Sequence, residues 1–421
     1  MRPGSSRSGK GNSVPGTACR RRLAATCAAF GAWVVTGGAL APQAFADDTA
    51  APDQWYLAAM HAPEMWKAST GKGIKVAVVD TGVNPDTPSL KGQVLADEVP
   101  KSAAYGATED YQGHGTTMAE LIAGTGKGGG LKGLAPDSKI IPVRITLDSL
   151  KDPAERKLTQ SSEAGIRAAA DSDARIINLS FGGPAVTSEG ADAIKYALSK
   201  GKLLFAATGN DEEINGDGAM EFPASYPGVV GVGAADQKGT VGHFSQSGDS
   251  VDLASPGLHV AKWCDTTFKK YCPSQGTSQA SAIASASAAL IWSAHPTWTA
   301  NQVLRTMIDT AGRSWERSTP SKYLGYGLIR PRLVLEQARI DPGPAGADPL
   351  ARENGTGGGA PATPAVPSSS APPSTPGKGE ARAAGEGGGD SGTPWLIGGV
   401  AAGVLVIGGG VFAALRTRRR A

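Results

Sequence analysis

Short apolar runs recur through the middle of the chain, and polar or glycine-rich turns follow them. The first run, residues 74–79, is rich in Val and leads directly into Asp80-Thr81-Gly82. A short β-branched run that ends in a turn indicates a buried strand. The same pattern predicts four further strands, over residues 139–145, 174–179, 203–207 and 229–234.

Helical patterns lie between these apolar runs. They predict helices over residues 116–123, 159–170, 188–199 and 278–294. Strands that alternate with helices favour a mostly parallel sheet with helices on both faces, so the predicted fold class is α/β. In such sheets, functional sites gather at the carboxyl ends of the strands, where this chain places its polar turns.

Both ends of the chain carry apolar stretches next to basic residues. Residues 1–46 hold six basic and no acidic residues, an apolar run and a cleavage site of small residues. Together these features predict a secretory signal peptide. A spanning signal anchor is the alternative.

Residues 395–415 are 21 uncharged residues, enough to cross about 30 Å of hydrocarbon. Because positive flanks stay cytoplasmic, the basic tail 416–421 predicts a single-pass cell-membrane protein with an extracytoplasmic body.

The remaining residues divide into a globular part and a linker. Residues 341–394 are rich in Pro, Gly, Ser and Ala, and should form an extended stalk because they bury little apolar surface. Residues 74–340 are long enough for one core. Residues 47–73 are too short for an independent domain but carry Trp, Met and Leu, so they are expected to pack on the core as an N-terminal arm.

Net charge and the two remaining cysteines narrow the class of protein. The formal net charge is only +3, which gives no electrostatic footprint for nucleic acid. Only Cys264 and Cys272 follow the predicted signal peptide, and we expect them to lie eight residues apart in a polar loop. In an oxidising compartment such a pair indicates a local disulfide. A metal site is the weaker interpretation, since no third or fourth ligand has useful spacing, and the sequence predicts no metal or other cofactor.

Three motifs carry candidate catalytic chemistry. Asp80 leaves a buried strand, His114 opens a helix between two glycines, and Ser278 opens a long helix of small residues. Each motif alone has a structural explanation, because an Asp can cap a turn and a Ser before a helix is often its N-cap. The order Asp, His, Ser on an α/β frame, however, is the order found in subtilisin.

Six ordered motifs resemble those of the subtilisin-like serine proteases over roughly residues 55–340. They lie at residues 78–83, 113–116, 133–136, 177–182, 206–210 and 276–278. The resemblance implies a subtilisin-like three-layer fold. With the signal, stalk and span added, the chain is most similar to the mycosins, membrane-anchored subtilases associated with type VII secretion.

This resemblance implies a catalytic role for each of the three motif residues. Ser278 would attack the scissile carbonyl, and His114 would take its proton and later protonate the leaving amine. Asp80 would hold the imidazole in the correct tautomer.

Two further segments match the family's substrate-binding parts. Asn210 corresponds to the side chain that donates a hydrogen bond to the oxyanion. The segment Ser180-Phe181-Gly182 resembles the edge that pairs with an extended substrate backbone.

The sequence therefore predicts a membrane-tethered, extracytoplasmic serine endopeptidase that acts on protein or peptide substrates. Its resemblance to mycosins predicts an association with a type VII secretion membrane complex. The alternative is a subunit of such a complex whose main role is structural, with proteolysis secondary.

Overall fold

The central feature of the computed structural model is a parallel sheet, and the structure describes residues 54–211, 218–337 and 339–355. The strands of this sheet are β1 (Lys75–Asp80), β2 (Lys139–Arg144), β3 (Ile176–Leu179), β4 (Leu203–Ala207), β5 (Val229–Ala235) and β6 (Leu253–Pro256). Their order across the six-stranded sheet is β2-β1-β3-β4-β5-β6, and each neighbouring pair is parallel. The five predicted strands are confirmed, and β6 is a strand that the sequence pattern did not predict.

Helices cover both faces of this sheet. They are α1 (Trp55–Ala59), α2 (Ala62–Ala68), α3 (His114–Ala123), α4 (Pro153–Leu158), α5 (Ser162–Asp171), α6 (Ser188–Ser199), α7 (Thr277–Ala294), α8 (Ala300–Thr310) and α9 (Pro331–Glu336). Helices α3 and α7 contribute to the core on one face, and α5 and α6 contribute to the core on the other. The predicted three-layer α/β fold is confirmed.

The alternation of side chains along β1 separates these two cores. Val76 and Val78 point into the core that contains α3 and α7. Ala77 and Val79 point into the core that contains α5 and α6. Because successive side chains of a strand face opposite sides, an uninterrupted apolar run is what a strand covered on both faces requires.

Helix α7 crosses the sheet through the middle of the larger core. It has 18 residues, and residues 277–292 are all buried. Most of these residues are Ala or Ser, so the helix can pack close to β3, β4 and β5. This packing brings the first turn of α7 to the carboxyl ends of the strands.

The arm ahead of the sheet, residues 54–73, is packed on the core. Tyr56 and Met65 are each only 1% exposed. The indole Nε1 of Trp55 donates to Leu258 O at 2.9 Å, and that of Trp66 donates to Leu134 O at 2.8 Å. The apolar residues that the sequence shows in this segment therefore anchor α1 and α2.

The two cysteines lie in an antiparallel hairpin rather than in the polar loop expected from the sequence. Its strands are β7 (Val260–Trp263) and β8 (Tyr271–Ser274). Cys264 follows β7 directly and Cys272 lies within β8, and a disulfide joins them with their Cα atoms 5.1 Å apart. The pairing of β7 with β8 is what brings the two sulfur atoms together.

This hairpin is hydrogen-bonded to α3. The backbone N–H of Trp263 donates to Thr117 Oγ1 at 3.1 Å, and the Tyr271 hydroxyl donates to Glu120 Oε2 at 2.6 Å. Both acceptors lie on the helix that begins at His114, so the hairpin helps to fix that helix.

The globular domain continues beyond the boundary predicted at Ile340. Leu350 is 1% exposed and belongs to the larger core. The N–H of Gly228 donates to Asn354 Oδ1 at 2.8 Å, and the Tyr326 hydroxyl donates to Glu353 at 2.6 Å. The prediction that the stalk begins at residue 341 is therefore wrong for residues 341–355, because one buried leucine and several hydrogen bonds fix them to the domain.

The remaining sequence predictions fall outside the described residues. These are the signal peptide 1–46, the rest of the stalk, the span 395–415 and the tail 416–421. Contacts divide the chain into Met1–Gly358 and Gly359–Ala421, and the second unit lies wholly outside the described part. Among the residues that the structure does describe, no helix combines the length and apolar character needed to cross a membrane.

Candidate active site

Asp80 ends the central strand β1 and begins the site. Its side chain is fully buried, and its Oδ1 lies 2.7 Å from His114 Nδ1. The N–H of Thr81 donates to the same oxygen at 2.8 Å. The carboxylate is thus fixed by its own turn and aimed at the imidazole.

His114 is the first residue of α3, and the glycines beside it are required by the backbone. Gly113 has φ 81°, in the left-handed region that favours glycine. A Cβ on Gly115 would lie 2.2 Å from Gly82 O and 3.0 Å from the Asp80 Cβ. The helix can therefore approach the turn after β1 closely enough for His114 to reach Asp80.

A second carboxylate, that of Asp110, organises this helix terminus, and none of the sequence motifs includes it. Asp110 Oδ1 accepts from the Thr81 hydroxyl and from Gly113 N, both at 2.7 Å. Its Oδ2 accepts from Thr116 N at 2.8 Å and from the Thr116 hydroxyl at 2.7 Å. The usual capping signal does not point to it, because an N-cap residue lies directly before the helix and that position is Gly113.

The electrostatic surroundings of His114 favour its protonated form. Burial alone would lower the pKa of His114, but the negative charge of Asp80 and the hydrogen bond to it outweigh burial, and the pKa is raised. The charge of Asp110 acts in the same direction. The imidazole is therefore a stronger base than a free one, as a general base needs.

Ser278 is the second residue of α7, and its side chain faces the same cleft. The residue is 8% exposed, and its Oγ donates to Ser180 O at 2.9 Å. In return the Ser180 hydroxyl donates to Ser278 O at 2.9 Å. In the described structure the Ser278 hydroxyl thus bonds to a backbone carbonyl and not to His114.

A buried polar network lies beneath this serine pair. Asn178 Nδ2 donates to Ser180 Oγ at 2.8 Å, and the hydroxyls of Ser281 and Ser285 each donate to Asn178 Oδ1 at 3.1 Å. Asn178 and both of these serines are fully buried. The network ties β3 to α7 and so fixes the backbone that carries Ser278.

The amide of Asn210 is oriented by Thr277. Its Oδ1 accepts from Thr277 N at 2.9 Å and from the Thr277 hydroxyl at 3.0 Å. Since the carbonyl end is held in this way, the Nδ2 end is the one left to donate toward the cleft. The N–H of Ser278, in the first turn of α7, has no acceptor within its own helix.

These side chains border one cleft of about 620 Å³. It is lined by His114, Asn210, Ser278 and the segment from Ser180 to Gly182. The backbone groups of Phe181 and Gly182 make no hydrogen bond to any described residue. The structure therefore brings six of the seven predicted catalytic and substrate-binding residues to one cleft surface, with Asp80 buried behind His114.

The described residues give no sign of a metal centre. None of their His, Cys, Asp and Glu side chains form a group of three that could hold an ion.

The family assignment follows from comparison with known proteins. The family model described as "Subtilase family" matches residues 71–327, more than half of the chain. The chain belongs to the subtilase family of serine endopeptidases. The minor extracellular protease Epr of Bacillus subtilis (strain 168) is 34% identical to this subtilase over 287 residues, which are 66% of this chain and 41% of Epr. Subtilisin Savinase of Lederbergia lenta is 32% identical over 260 residues, which are 61% of this chain and 90% of Savinase.

Solved structures place this subtilase beside the mycosins. The crystal structure of MycP1 from the ESX-1 type VII secretion system superposes with a TM-score of 0.57 at 28% identity. The match covers 71% of this chain and 90% of MycP1. The predicted resemblance to subtilases, and to mycosins among them, is confirmed.

Proposed function

We propose that this subtilase hydrolyses peptide bonds in protein substrates with Asp80, His114 and Ser278 as its catalytic triad. The observation that carries the proposal is the 2.7 Å contact of His114 Nδ1 with the buried Asp80, in a cleft that also exposes Ser278 and Asn210. A histidine held at Nδ1 by a carboxylate presents Nε2 as the base, which is what activation of a serine hydroxyl requires.

The reaction begins with a change of partner for the Ser278 hydroxyl. Rotation about the side-chain bond takes Oγ from Ser180 O toward Nε2 of His114. Oγ then attacks the carbonyl carbon as its proton passes to His114, and a C–O bond forms. The imidazolium gives that proton to the leaving nitrogen as the C–N bond breaks, and an attacking water later releases the acyl group by the same path.

Two donors stabilise the oxyanion that forms on the carbonyl. They are Nδ2 of Asn210 and the N–H of Ser278. Thr277 holds the Asn210 amide in place before substrate arrives, so no reorganisation is needed as charge develops.

Labelling with a fluorophosphonate tests the proposed nucleophile. The full-length chain should acquire one phosphonyl group on Ser278, detected by mass spectrometry, and Ser278→Ala should abolish both labelling and peptide cleavage. Ser293→Ala is the matched control, because this hydroxyl lies at the far end of α7 and donates to Lys72 O. Labelling that persists in Ser278→Ala would contradict the proposal.

The second part of the proposal concerns location and partners. We place the catalytic domain on the outer side of the cell membrane, tethered through residues 395–415, and associated with a type VII secretion complex. The 21 uncharged residues before a basic tail and the similarity to MycP1 support it.

Cell fractionation tests this location. The full chain should sediment with membranes and be digested by protease added to spheroplasts, whereas a chain ending at residue 394 should be soluble outside the cytoplasm. A full chain found in the cytosol would contradict the proposal. To separate the enzymatic from the structural role, secretion in a Ser278→Ala strain should be compared with secretion in a deletion strain.

A further inference from the structure

The cleft that holds Ser278 is lined by carboxylates. Asp148, Glu163, Asp211 and Glu221 all border it. None of the described residues that line the cleft is Lys or Arg. Three of these acids have substantial contact with solvent, but Glu221 is only 5% exposed. A negative charge near the surface is screened by water and salt, whereas a charge at the bottom of a cleft is screened much less.

Glu221 lies between the two backbone segments beside Ser278. A Cβ on Gly182 would be 3.4 Å from Glu221 Oε2. A Cβ on Gly209, on the other side, would be 2.7 Å from Glu221 Cγ. Because both positions are glycine, neither of them places a side chain between the cleft and this carboxylate.

The position of the attacked carbonyl determines which substrate side chain points toward Glu221. The carbonyl carbon must lie within bonding reach of Ser278 Oγ, and the carbonyl oxygen must lie near Asn210 Nδ2. The residue that supplies this carbonyl then has its own side chain between the segment from Ser180 to Gly182 and Gly209. Glu221 lies at the inner end of the opening between these two segments.

From this placement we infer that Glu221 makes the enzyme prefer a basic residue, Lys or Arg, on the amino side of the cleaved bond. The inference rests on the proposed function, since it takes Ser278 as the nucleophile. A long cationic side chain can extend along the opening and end at the carboxylate in a charge-assisted hydrogen bond.

The electrostatics of Glu221 agree with this role. Burial raises the pKa of Glu221, and the nearby Asp211 carboxylate raises it further. The charged form is thus disfavoured, and a cation that enters the cleft lowers the cost of that charge. Asp148 and Glu163, which also line the cleft, add negative potential.

Two peptidyl diphenyl phosphonates that differ only in the residue next to phosphorus, Arg or Leu, test the inference on the full-length chain. Both react with the serine nucleophile, so their rates are compared at one site. We expect the Arg probe to label faster by about tenfold to hundredfold, the range for one charge-assisted hydrogen bond. Glu221→Gln should remove this advantage, so that the Arg-to-Leu ratio falls to about one. Thermal unfolding of the variant checks that it is folded.

Two further variants separate Glu221 from the general acidity of the protein. Glu64→Gln removes the same charge from the exposed first turn of α2, and should leave the Arg-to-Leu ratio unchanged. Asp148→Asn, at the exposed rim, should lower the ratio by less than about threefold, as expected for a solvent-screened charge. An effect of Asp148→Asn as large as that of Glu221→Gln would overturn the inference.

The wild-type protein alone can also overturn the inference. Faster labelling by the Leu probe would contradict it while leaving Ser278 as the nucleophile. If neither probe labels Ser278, the proposed function fails and the inference fails with it.

The Arg-to-Leu ratio should also fall on acidification as Glu221 is protonated. Because the pKa of Glu221 is raised, this fall should occur above pH 4.5, the ordinary value for Glu. Titration of His114 affects both probes alike and cancels in the ratio.

Discussion

The two halves of the proposed catalytic centre are prepared for reaction to different degrees. Asp80 and His114 already make their 2.7 Å contact, fixed by the β1 turn, by two obligatory glycines and by Asp110. Ser278 Oγ instead donates to Ser180 O, at a distance of 2.9 Å. The base is thus set by rigid backbone, whereas the nucleophile is held aside by a hydrogen bond that it must exchange. The difference implies that a substitution that breaks the contact of Asp80 with His114 should lower kcat severely. Substitutions of the residues around Ser278 should lower it by smaller and differing amounts.

Among variants that keep the Ser278 nucleophile, the largest effect is expected when the contact between Asp80 and His114 is broken. Asp80→Asn leaves the side-chain shape but removes the negative charge and replaces one acceptor oxygen with an amide donor, so the side chain no longer fixes the His114 tautomer. We expect kcat to fall by about 10⁴-fold, the scale known for loss of the orienting carboxylate in a serine protease. Peptide cleavage followed by fluorescence measures it. A loss smaller than tenfold in a variant with unchanged thermal unfolding would show that Asp80 does not orient the base.

The pH profile of the same variant gives a second readout. Because the pKa of His114 is raised above its ordinary 6.5, wild-type activity should fall on acidification at a pH above 6.5. Asp80→Asn removes the charge and the hydrogen bond that raise this pKa and leaves the burial that lowers it. The acid limb of the pH–activity profile should therefore move to lower pH. An acid limb that stays in place would contradict the assignment of Asp80 as the partner of His114.

A smaller loss is expected at the oxyanion donor. Asn210→Ala should lower kcat by about 10²–10³-fold with little change in KM, the loss known for removal of one such donor in subtilisin itself. Thr277→Val removes only the hydroxyl that orients the amide, and should cost about fivefold, or about 1 kcal/mol. Steady-state kinetics on one peptide compare the two variants. Equal losses, or a change confined to KM, would argue against an oxyanion role.

Asp110 should contribute more to the stability of the helix start that carries His114 than to the catalytic steps. Asp110→Asn keeps the shape of the side chain but replaces one acceptor oxygen with an amide donor, so some of the donors around it lose their acceptor. We expect a loss of about 1–3 kcal/mol in the free energy of unfolding, measured by urea denaturation. The acid limb should shift slightly to lower pH, since the charge of Asp110 also helps to raise the pKa of His114. Unchanged stability would show that Asp110 is not needed to hold the helix start.

The smallest effect is expected beneath the serine. Ser285→Ala removes one of the two hydroxyls that donate to Asn178, while Ser281 still donates. Unfolding should become easier by about 1 kcal/mol, with kcat nearly unchanged. Ser287→Ala is the matched control, because its hydroxyl donates to Ile283 O within the same helix and not to Asn178. A large fall in kcat for Ser285→Ala would mean that the network also positions the nucleophile.

The elements that the sequence predicts best are those whose pattern is decided locally. A strand covered on both faces needs an apolar run, so β1 is readable from its residues alone. The Asp80, His114 and Ser278 motifs are also local, since glycines mark the close approach of α3 and small residues mark α7.

The elements that it predicts poorly depend on distant partners. Strand β6 has only four residues and includes Pro256, so its identity as a strand comes from pairing with β5. The hairpin of β7 and β8 carries charged residues and is defined by its pairing. The position of Glu221 could not be foreseen either, because the glycines that open the cleft to it are about 12 and 39 residues away along the chain.

Residues 341–355 determine where this domain can be cut. Gln302 Nε2 donates to Gly343 O and the Thr299 hydroxyl donates to Ala345 O, both at 2.8 Å, so this segment closes the start of α8. A recombinant fragment that stops at Ile340 would lose these bonds and expose the apolar site filled by Leu350. Such a fragment should aggregate more readily than one that ends at Gly355, even though the active-site residues of the two are identical.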